Sequence, residues 1–204
     1  MKKLIVALLI VAYAFFPKIL CASVKLNQSA FVWGQEVNGL QAAIEFMPEM
    51  YEYKQGDVIG ILFHIRNVSD RRIQFVTSDW RNYDKCFLKD PNGNEISCNH
   101  ILYTGLPNIN RIFLDPCESV SIKSSSFGIA KNKALDSSEF THPVGANVYL
   151  KQGRYLLYYQ LRFPDIRSTR LSEEPNDWIG TLETGRREIL VLSEPPEPNS
   201  SKTQ

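Results

Sequence analysis

The stretch that decides the fold is residues 155–163, which read Tyr155-Leu156-Leu157-Tyr158-Tyr159-Gln160-Leu161-Arg162-Phe163. Aromatic and aliphatic residues dominate this run, as is typical of a β-strand. Alternate side chains of a strand point to opposite sides. The side chains that share one face are Tyr155, Leu157, Tyr159, Leu161 and Phe163. Because Leu156 and Tyr158 make the second face apolar as well, we predict a central core strand and not a binding surface.

Apolar residues alternate with polar ones on both sides of this run, between turn signals about ten residues apart. The strands predicted from this pattern are residues 39–46, 58–66, 73–76, 86–88, 95–98, 111–114, 119–123, 155–163 and 188–192. Residues 131–147 and 164–176 are predicted to be long loops. The pattern favours an all-β domain over residues 24–193, an immunoglobulin-like sandwich of two antiparallel sheets.

The amino terminus has the pattern of a secretory signal. Lys2 and Lys3 precede an apolar run at residues 4–16, and small residues follow at Ala22 and Ser23. As a helix this run spans roughly 20 Å, which is less than the ~30 Å hydrocarbon core of a membrane. We therefore predict that residues 1–23 are a signal helix that is cleaved. An uncleaved anchor and a lipid-anchored Cys21 remain as alternatives.

Cleavage implies that the mature protein is exported, either to the periplasm or out of the cell, with no stable membrane span. The carboxyl-terminal residues 194–204 are polar and rich in proline and are predicted to be a disordered tail. The mature chain is long enough to bury a core without disulfides.

The composition, with 44% hydrophobic and 22% charged residues, is that of an ordinary globular protein. Removal of Lys2, Lys3 and Lys18 reduces the 23 basic side chains to 20, against 22 acidic ones, so the mature net charge is −2. Binding to nucleic-acid phosphates requires a cationic surplus or stripe. We therefore expect no nucleic-acid partner.

Three cysteines follow the predicted signal. Residues 90–93, Asp-Pro-Asn-Gly, are typical of a tight hairpin turn with a glycine bulge. In that register Cys86 lies directly opposite Cys98, with Cα atoms ~5.5 Å apart, which is within disulfide reach. We predict a disulfide between Cys86 and Cys98 and an unpaired Cys117. Three reduced, buried cysteines are the alternative.

The sequence contains no motif that would join a nucleophile, a base and an orienting residue. His64, His100 and His142 lack the spacing of metal ligands or of a Cys-His pair, and His64 is expected to point outward from its strand. The carboxylates at residues 173–177 are predicted to lie in a solvated loop. We therefore predict no catalytic residue, no metal and no cofactor.

Two segments carry a resemblance to a known family. Residues 32–41 read Val-Trp-Gly-Gln-Glu-Val-Asn-Gly-Leu-Gln, and residues 177–185 read Asp-Trp-Ile-Gly-Thr-Leu-Glu-Thr-Gly. We call them the opening and closing segments, because they resemble the signatures at either end of an uncharacterised family of exported bacterial domains common in planctomycetes. The resemblance covers residues 32–192 and implies an immunoglobulin-like sandwich, with no activity attached. At Cys117 the sequence departs from the glycine usual in this turn.

Trp33 and Trp178 stand near the start of these two segments. We predict that each covers an open end of the sandwich, while Gly34 and Gly180 allow a close approach of backbone. A platform on which a ligand stacks is the alternative for both tryptophans.

The expected function is that of an exported, non-catalytic module that binds another exported or envelope protein through loops at the ends of the sandwich. The alternative is a proteinase inhibitor that presents one of those loops. Tyr83-Asp84 and Asn92-Gly93 are similar to features of a bacterial proteinase-inhibitor sandwich.

If the signal is cleaved, the exported protein will begin near Ser23 or Val24. Amino-terminal sequencing and the intact mass of protein recovered outside the cytoplasm measure this directly. Intact Met1 in purified, soluble cytoplasmic protein would contradict the prediction.

Overall fold

A computed structural model describes residues 31–78, 84–100, 109–131, 146–163 and 177–193. The predicted signal, the loop at 164–176 and the tail at 194–204 lie outside these ranges. The described residues form the strands β1 (Leu40–Met47), β2 (Glu52–Tyr53), β3 (Val58–Asn67), β4 (Ile73–Ser78), β5 (Asp84–Lys89), β6 (Glu95–Ser97), β7 (Asn99–His100), β8 (Ile109–Leu114), β9 (Ser119–Ala130), β10 (Ala146–Tyr149), β11 (Gly153–Phe163), β12 (Asp177–Trp178), β13 (Gly180–Glu183) and β14 (Arg187–Val191). Among them there is no helix long and apolar enough to cross a membrane.

The strands form three sheets. The five-stranded sheet has the order β1-β3-β9-β10-β7, and the six-stranded sheet has the order β2-β14-β11-β5-β6, with β13 also paired to β11. A three-stranded sheet has the order β12-β4-β8. The described part of the chain is therefore all-β, as predicted.

All three sheets contribute side chains to one buried cluster. Phe63 of the five-stranded sheet meets Tyr159 of the six-stranded sheet edge to face, with ring centroids 5.1 Å apart. Phe75 of the three-stranded sheet meets Phe163 in the same way at 5.3 Å. Contacts of this kind across facing sheets give the fold a sandwich-like core.

Strand β11 is central, because β5 pairs with one of its edges and β14 and β13 pair with the other. Its predicted inner face is buried throughout, from Tyr155 to Phe163. On the opposite face Tyr158 is covered by stacking on Phe87, whereas Leu156 is 36% exposed. The prediction of a core strand is confirmed, but the second face is only partly covered.

Most predicted strands are observed within two residues at each end. The prediction for β9 is too short, because residues 124–130 continue the pairing with β3 past an irregularity at Leu62/Phe63. Residues 146 and 147, the end of the predicted loop at residues 131–147, instead begin β10, which pairs with β9. The strands that the sequence analysis missed, β2, β7, β10, β12 and β13, are too short for alternation to be visible.

The expectation of purely antiparallel sheets is wrong. The described strands include parallel pairs between β9 and β10, between β4 and β12, and between β14 and β2. Each of these pairs includes a strand of only two to four residues. Such a strand is reached by a connection longer than a hairpin, so its direction is not fixed by a turn.

Asn67 closes β3 with a fully buried amide side chain. Its Nδ2 donates to the carbonyl oxygens of Arg71 at 2.7 Å and Leu114 at 3.0 Å. Its Oδ1 accepts from the backbone N–H of Ser69 at 2.9 Å and from the Ser69 hydroxyl at 2.7 Å. One side chain thus joins the turn between β3 and β4 to the end of β8.

The backbone of Asn67 joins a second turn. Its N–H donates to the carbonyl oxygen of Glu118 at 2.9 Å, and its carbonyl oxygen accepts from the N–H of Cys117 at 3.0 Å. Cys117 has φ of 66°, the left-handed conformation that glycine adopts more easily. The sequence analysis finds a cysteine where this turn usually has glycine, and the backbone conformation of Cys117 is one that suits glycine.

Replacing Leu157 by alanine is expected to lower the free energy of unfolding by about 2–5 kcal/mol, because it removes a fully buried side chain and leaves a cavity. Leu156→Ala, on the exposed side of the same strand, is the matched control and should change stability by less than about 1 kcal/mol. Thermal unfolding followed by circular dichroism compares the two. Equal melting temperatures would mean that the faces of β11 are reversed.

Candidate functional site

The opening and closing segments meet in the structure, although they lie far apart in sequence. The N–H of Gly34 donates to the carbonyl oxygen of Ala42 at 2.8 Å, and Ala42 also forms a parallel bridge with Thr184. A Cβ atom on Gly34 would lie 1.8 Å from the carbonyl oxygen of Glu183. Residues 32–34 and 183–185 are therefore packed backbone to backbone.

The predicted close approach of backbone is present at Gly34, but at Gly180 it is wrong, because a Cβ atom there would lie 2.8 Å from the Trp178 ring and meets no backbone atom at that distance. Gly185 allows a second close approach, which the sequence analysis did not identify. A Cβ atom added at Gly185 would lie 1.9 Å from the carbonyl oxygen of Val32. Its place at the end of the closing segment was the signal that could have identified it.

Trp33 lies against the outer face of the five-stranded sheet. The guanidinium carbon of Arg66 is 4.2 Å from the centroid of its ring, and Phe31 meets the ring edge to face at 5.9 Å. Gln41 fixes this arrangement, because it donates to the Gly34 carbonyl oxygen and accepts from Arg66 Nε, both at 2.9 Å. One face of the indole is therefore occupied by a cation of the chain itself, which favours a packing role over a ligand platform. The prediction that Trp33 covers an open end of the sandwich is wrong, because the ring lies on Arg66 of the outer face of the sheet.

His64 points outward as predicted but is only 9% exposed, so the expectation of an ordinary outward residue is wrong. Phe31 covers the imidazole with ring centroids 4.2 Å apart. Nε2 lies 2.8 Å from Glu45 Oε2, and the Ser121 hydroxyl lies 3.1 Å from Nδ1. The carboxylate, imidazole and hydroxyl link the neighbouring strands β1, β3 and β9.

This row has the group types of a serine-hydrolase relay, but it differs from that relay in geometry. There the hydroxyl meets Nε2 and the carboxylate meets Nδ1, whereas here the two nitrogens are exchanged and Phe31 covers the ring. Both ring nitrogens of the buried His64 therefore have hydrogen-bond partners, and these contacts join the three strands.

Trp178 packs on Phe163 at the end of β11, edge to face, with centroids 5.5 Å apart. The neighbouring Asp177 carboxyl is 6% exposed, accepts from Gln74 Nε2 at 2.6 Å and lies 3.5 Å from Arg111 Nε. The expectation of a solvated loop is therefore wrong for Asp177, which is buried in an ion pair because β12 pairs with β4. The other carboxylates of residues 173–177 lie outside the described residues.

The predicted hairpin is present in the predicted register. Asp90 N–H donates to the carbonyl oxygen of Asn94, and Leu88 pairs with Ile96. Cys86 and Cys98 therefore face each other in the core with their sulfur atoms 3.3 Å apart, but both are free thiols. The register is confirmed, and the disulfide between them remains a prediction.

Burial raises the pKa of the Cys86 thiol well above its usual value, and the neighbouring Cys98 thiol raises it further. A hydrogen bond with the Tyr159 hydroxyl opposes this shift. Cys117 is disulfide-bonded, so the expectation of an unpaired Cys117 is wrong. The hairpin argument used the local spacing of Cys86 and Cys98 alone, which carries no information about Cys117.

The connection from β1 to β2, residues 47–51, exposes apolar side chains that the sequence analysis did not single out. Met47 is 40% exposed, and Met50 and Tyr51 are each 44% exposed. We call these residues the Met47–Tyr51 connection. The sequence feature that could have identified them is the group of three large apolar side chains around Pro48, where the alternation of apolar and polar residues in β1 ends.

The backbone of this connection is held at several points. The Tyr53 hydroxyl donates to the carbonyl oxygen of Met50 at 2.8 Å, and Leu190 N–H donates to that of Tyr51 at 2.9 Å. Arg187 pairs with Glu49 at 3.0 Å. The connection therefore exposes apolar side chains on a hydrogen-bonded backbone between the five-stranded and six-stranded sheets.

Within the described ranges no group of three or more histidine, cysteine or acidic residues could hold a metal ion. Outside those ranges lie His142, residues 132–145 of the predicted loop at 131–147, and the whole predicted loop at 164–176. The structure also leaves the side chain of His100 undescribed.

No protein family matches the sequence, and no curated protein matches it. Among solved structures, the chain is similar to a β-glucosidase from Erythrobacter marinus at 14% identity and a TM-score of 0.30, over 80% of this chain and 15% of that chain. It is similar to a β-glucosidase from Listeria innocua at 15% identity and a TM-score of 0.30, over 79% of this chain and 17% of that chain. The chain therefore spans only a small part of either glucosidase.

The chain is also similar to the CARDB domain of the PF1109 protein from Pyrococcus furiosus, at 12% identity and a TM-score of 0.31, over 81% of this chain and all of that domain. These likenesses are too weak to carry an argument about function.

Gly34→Ala should destabilise the protein by about 1–3 kcal/mol or more, because the new methyl group overlaps the Glu183 carbonyl oxygen and forces the two segments apart. Gly93→Ala is the control: nothing lies within 4 Å of its Cβ position, so its only cost is that of placing alanine at a φ of 84°, about 1–2 kcal/mol. Urea unfolding measures both free energies. A Gly34→Ala protein no less stable than Gly93→Ala would contradict the close packing.

Proposed function

We propose that the protein is an exported, non-catalytic, immunoglobulin-like β-sandwich module that binds another protein of the cell envelope. The observation that carries this proposal is the Met47–Tyr51 connection. Its apolar side chains face solvent while its backbone is fixed by hydrogen bonds to β2 and β14. Exposed apolar side chains that adjoin one another are typical of protein-binding surfaces.

Rigidity of the backbone supports binding through this connection. A loop that is already ordered loses little conformational freedom when a partner docks, so more of the contact energy remains as affinity. Charged residues surround the apolar side chains: Glu49 pairs with Arg187, and Tyr51 hydrogen-bonds to Glu188. An apolar centre with a polar rim is the usual composition of such an interface.

The immunoglobulin-like assignment rests on the sandwich-like core, the central β11 and the resemblance of the opening and closing segments. Export rests on the signal pattern of residues 1–23. The partner is accordingly expected among exported or envelope proteins.

A proteinase inhibitor is the second candidate. The same observation favours it, because an inhibitor needs an exposed loop whose backbone stays in place inside a protease cleft. The Met47–Tyr51 connection would be that loop, with Met50 or Tyr51 entering the specificity pocket. Assays against serine, cysteine and metalloproteinases separate this candidate from a general binding module.

The proposal is tested by placing a photo-crosslinking amino acid at position 50 and irradiating envelope extracts. We expect one specific adduct from position 50 and none from position 113, where Phe113 is equally exposed on a distant strand. Met50→Glu should weaken recovery of the crosslinked partner by ~10-fold or more, as for a central interface residue, with an unchanged melting temperature.

Phe113→Glu is the matched control and should leave recovery unchanged. Adducts that form equally from both positions, or a partner that binds Met50→Glu as well as it binds the unmodified protein, would refute binding through the connection.

A further inference from the structure

The outer face of the six-stranded sheet carries two neighbouring cations. Side chains of β11 alternate between the core and this outer face, and Gln160 and Arg162 are among the outer ones. Lys85 of β5 lies directly opposite Gln160, so Lys85 and Arg162 are diagonal neighbours across the two strands. Neighbours of this kind lie ~7–8 Å apart. Both side chains are exposed, and we call Lys85, Gln160 and Arg162 the cationic patch.

The cationic patch has no carboxylate of its own. On this face each carboxylate of β6, β13 and β14 already pairs with another base: Glu95 with Lys89 at 3.7 Å, Glu183 with Arg186 at 3.3 Å, and Glu188 with Arg154 at 3.3 Å. Glu52 lies on β2, three strands away from β5. Within the described ranges neither Lys85 nor Arg162 forms an ion pair. Two like charges therefore face solvent side by side.

An apolar side chain is exposed on the same face. Leu156 is 36% exposed and precedes Gln160 by four residues, which is ~13 Å along an extended strand. Between them the ring of Tyr158 is covered, because Phe87 stacks on it at 5.2 Å and the guanidinium carbon of Arg186 lies 5.1 Å from its centroid. The face thus offers an apolar contact at one point and two uncompensated positive charges at another.

We propose that this face binds an acidic segment of the partner protein, with carboxylates on the cationic patch and an apolar side chain on Leu156. The inference rests on the proposed function, because it describes the chemistry of the same partner. Continuity supports it: Tyr51 of the Met47–Tyr51 connection hydrogen-bonds to Glu188, which lies directly opposite Leu156. A standard interface covers ~800 Å² on each partner, which is enough area to include both the connection and the cationic patch.

A protein segment suits this face better than a uniformly anionic surface such as a phospholipid membrane. Arginine binds a carboxylate through two parallel hydrogen bonds, and the neighbouring lysine adds a second positive charge. A surface that is negative throughout would be repelled by the carboxylates of Glu95, Glu183 and Glu188 on the same face. A polypeptide can carry carboxylates at the cationic patch alone and an apolar side chain at Leu156, so it complements both features.

The test is an NMR titration of the full chain with a capped peptide, Leu-Ser-Thr-Ser-Glu-Ser-Glu. When extended, its leucine and two glutamates have the spacing of Leu156, Gln160 and Arg162 along β11. We expect shifts of the amide signals of Lys85, Leu156 and Arg162. A peptide with glutamine in place of both glutamates should bind about 10-fold more weakly, because it lacks two exposed ion pairs. Equal affinities of the two peptides would overturn the proposal.

Two double variants with the same change in net charge test the cations. Lys85→Glu with Arg162→Glu should weaken binding of the glutamate peptide by about 10-fold or more. Arg71→Glu with Lys151→Glu is the matched control, because both side chains are exposed in connections outside this face, and it should leave the affinity unchanged. All four substitutions are on the surface, so the melting temperatures should stay close to that of the unmodified protein. Equal losses of affinity in both double variants would overturn the proposal.

Vesicles of phosphatidylglycerol represent the other class of anionic partner. Binding of the vesicles without any shift from the glutamate peptide would overturn the proposal in favour of a phosphate-bearing surface. Lys85→Glu with Arg162→Glu should also lower recovery of the partner crosslinked at position 50, and unchanged recovery would overturn the assignment of that partner to this face.

The peptide titration also separates this proposal from binding through the connection. Met50→Glu should leave the titration unchanged, because the peptide spans only Leu156 and the cationic patch. Peptide binding without any adduct from position 50 would refute the connection and support the patch. Failure of the two proposals is therefore distinguishable.

Discussion

The buried amide of Asn67 is the constraint on which the arrangement of the sheets depends. Strands β3 and β9 belong to the five-stranded sheet, and β4 and β8 belong to the three-stranded sheet. Asn67 hydrogen-bonds to the turn after β3, to the end of β8 and to the turn before β9. All its polar atoms are satisfied, so the cost of burying them is offset only while these segments keep their positions. The two sheets are therefore fixed relative to each other at this end.

A second constraint fixes the six-stranded sheet. Thr184 follows β13 and bridges to Ala42 of β1, while its N–H and hydroxyl bind the backbone of Tyr159 in β11, both at 2.9 Å. Gly34 and Gly185 make the approach possible, because any larger residue would meet a carbonyl oxygen. The opening and closing segments thus act as one structural unit. The glycines of these segments are explained by this close packing.

Two features remain outside this structural account. The Met47–Tyr51 connection links the two large sheets and exposes apolar side chains on a fixed backbone. The dithiol of Cys86 and Cys98 lies in the core near the opposite edge of the six-stranded sheet, on the far side of β11 from β2 and β14. Because they sit on different elements, each can change without the other.

Local pattern determined the all-β class, the central position of residues 155–163, the hairpin at residues 90–93 and the facing positions of Cys86 and Cys98, since alternation and turn chemistry act over a few residues. Contacts between distant segments decided the rest. These are the parallel pairs, the length of β9 and the burial of His64 beneath Phe31. The exposure of the Met47–Tyr51 connection is likewise decided by contacts between distant segments. A side chain is buried or exposed according to what packs on it from elsewhere in the chain, and no local pattern carries that information.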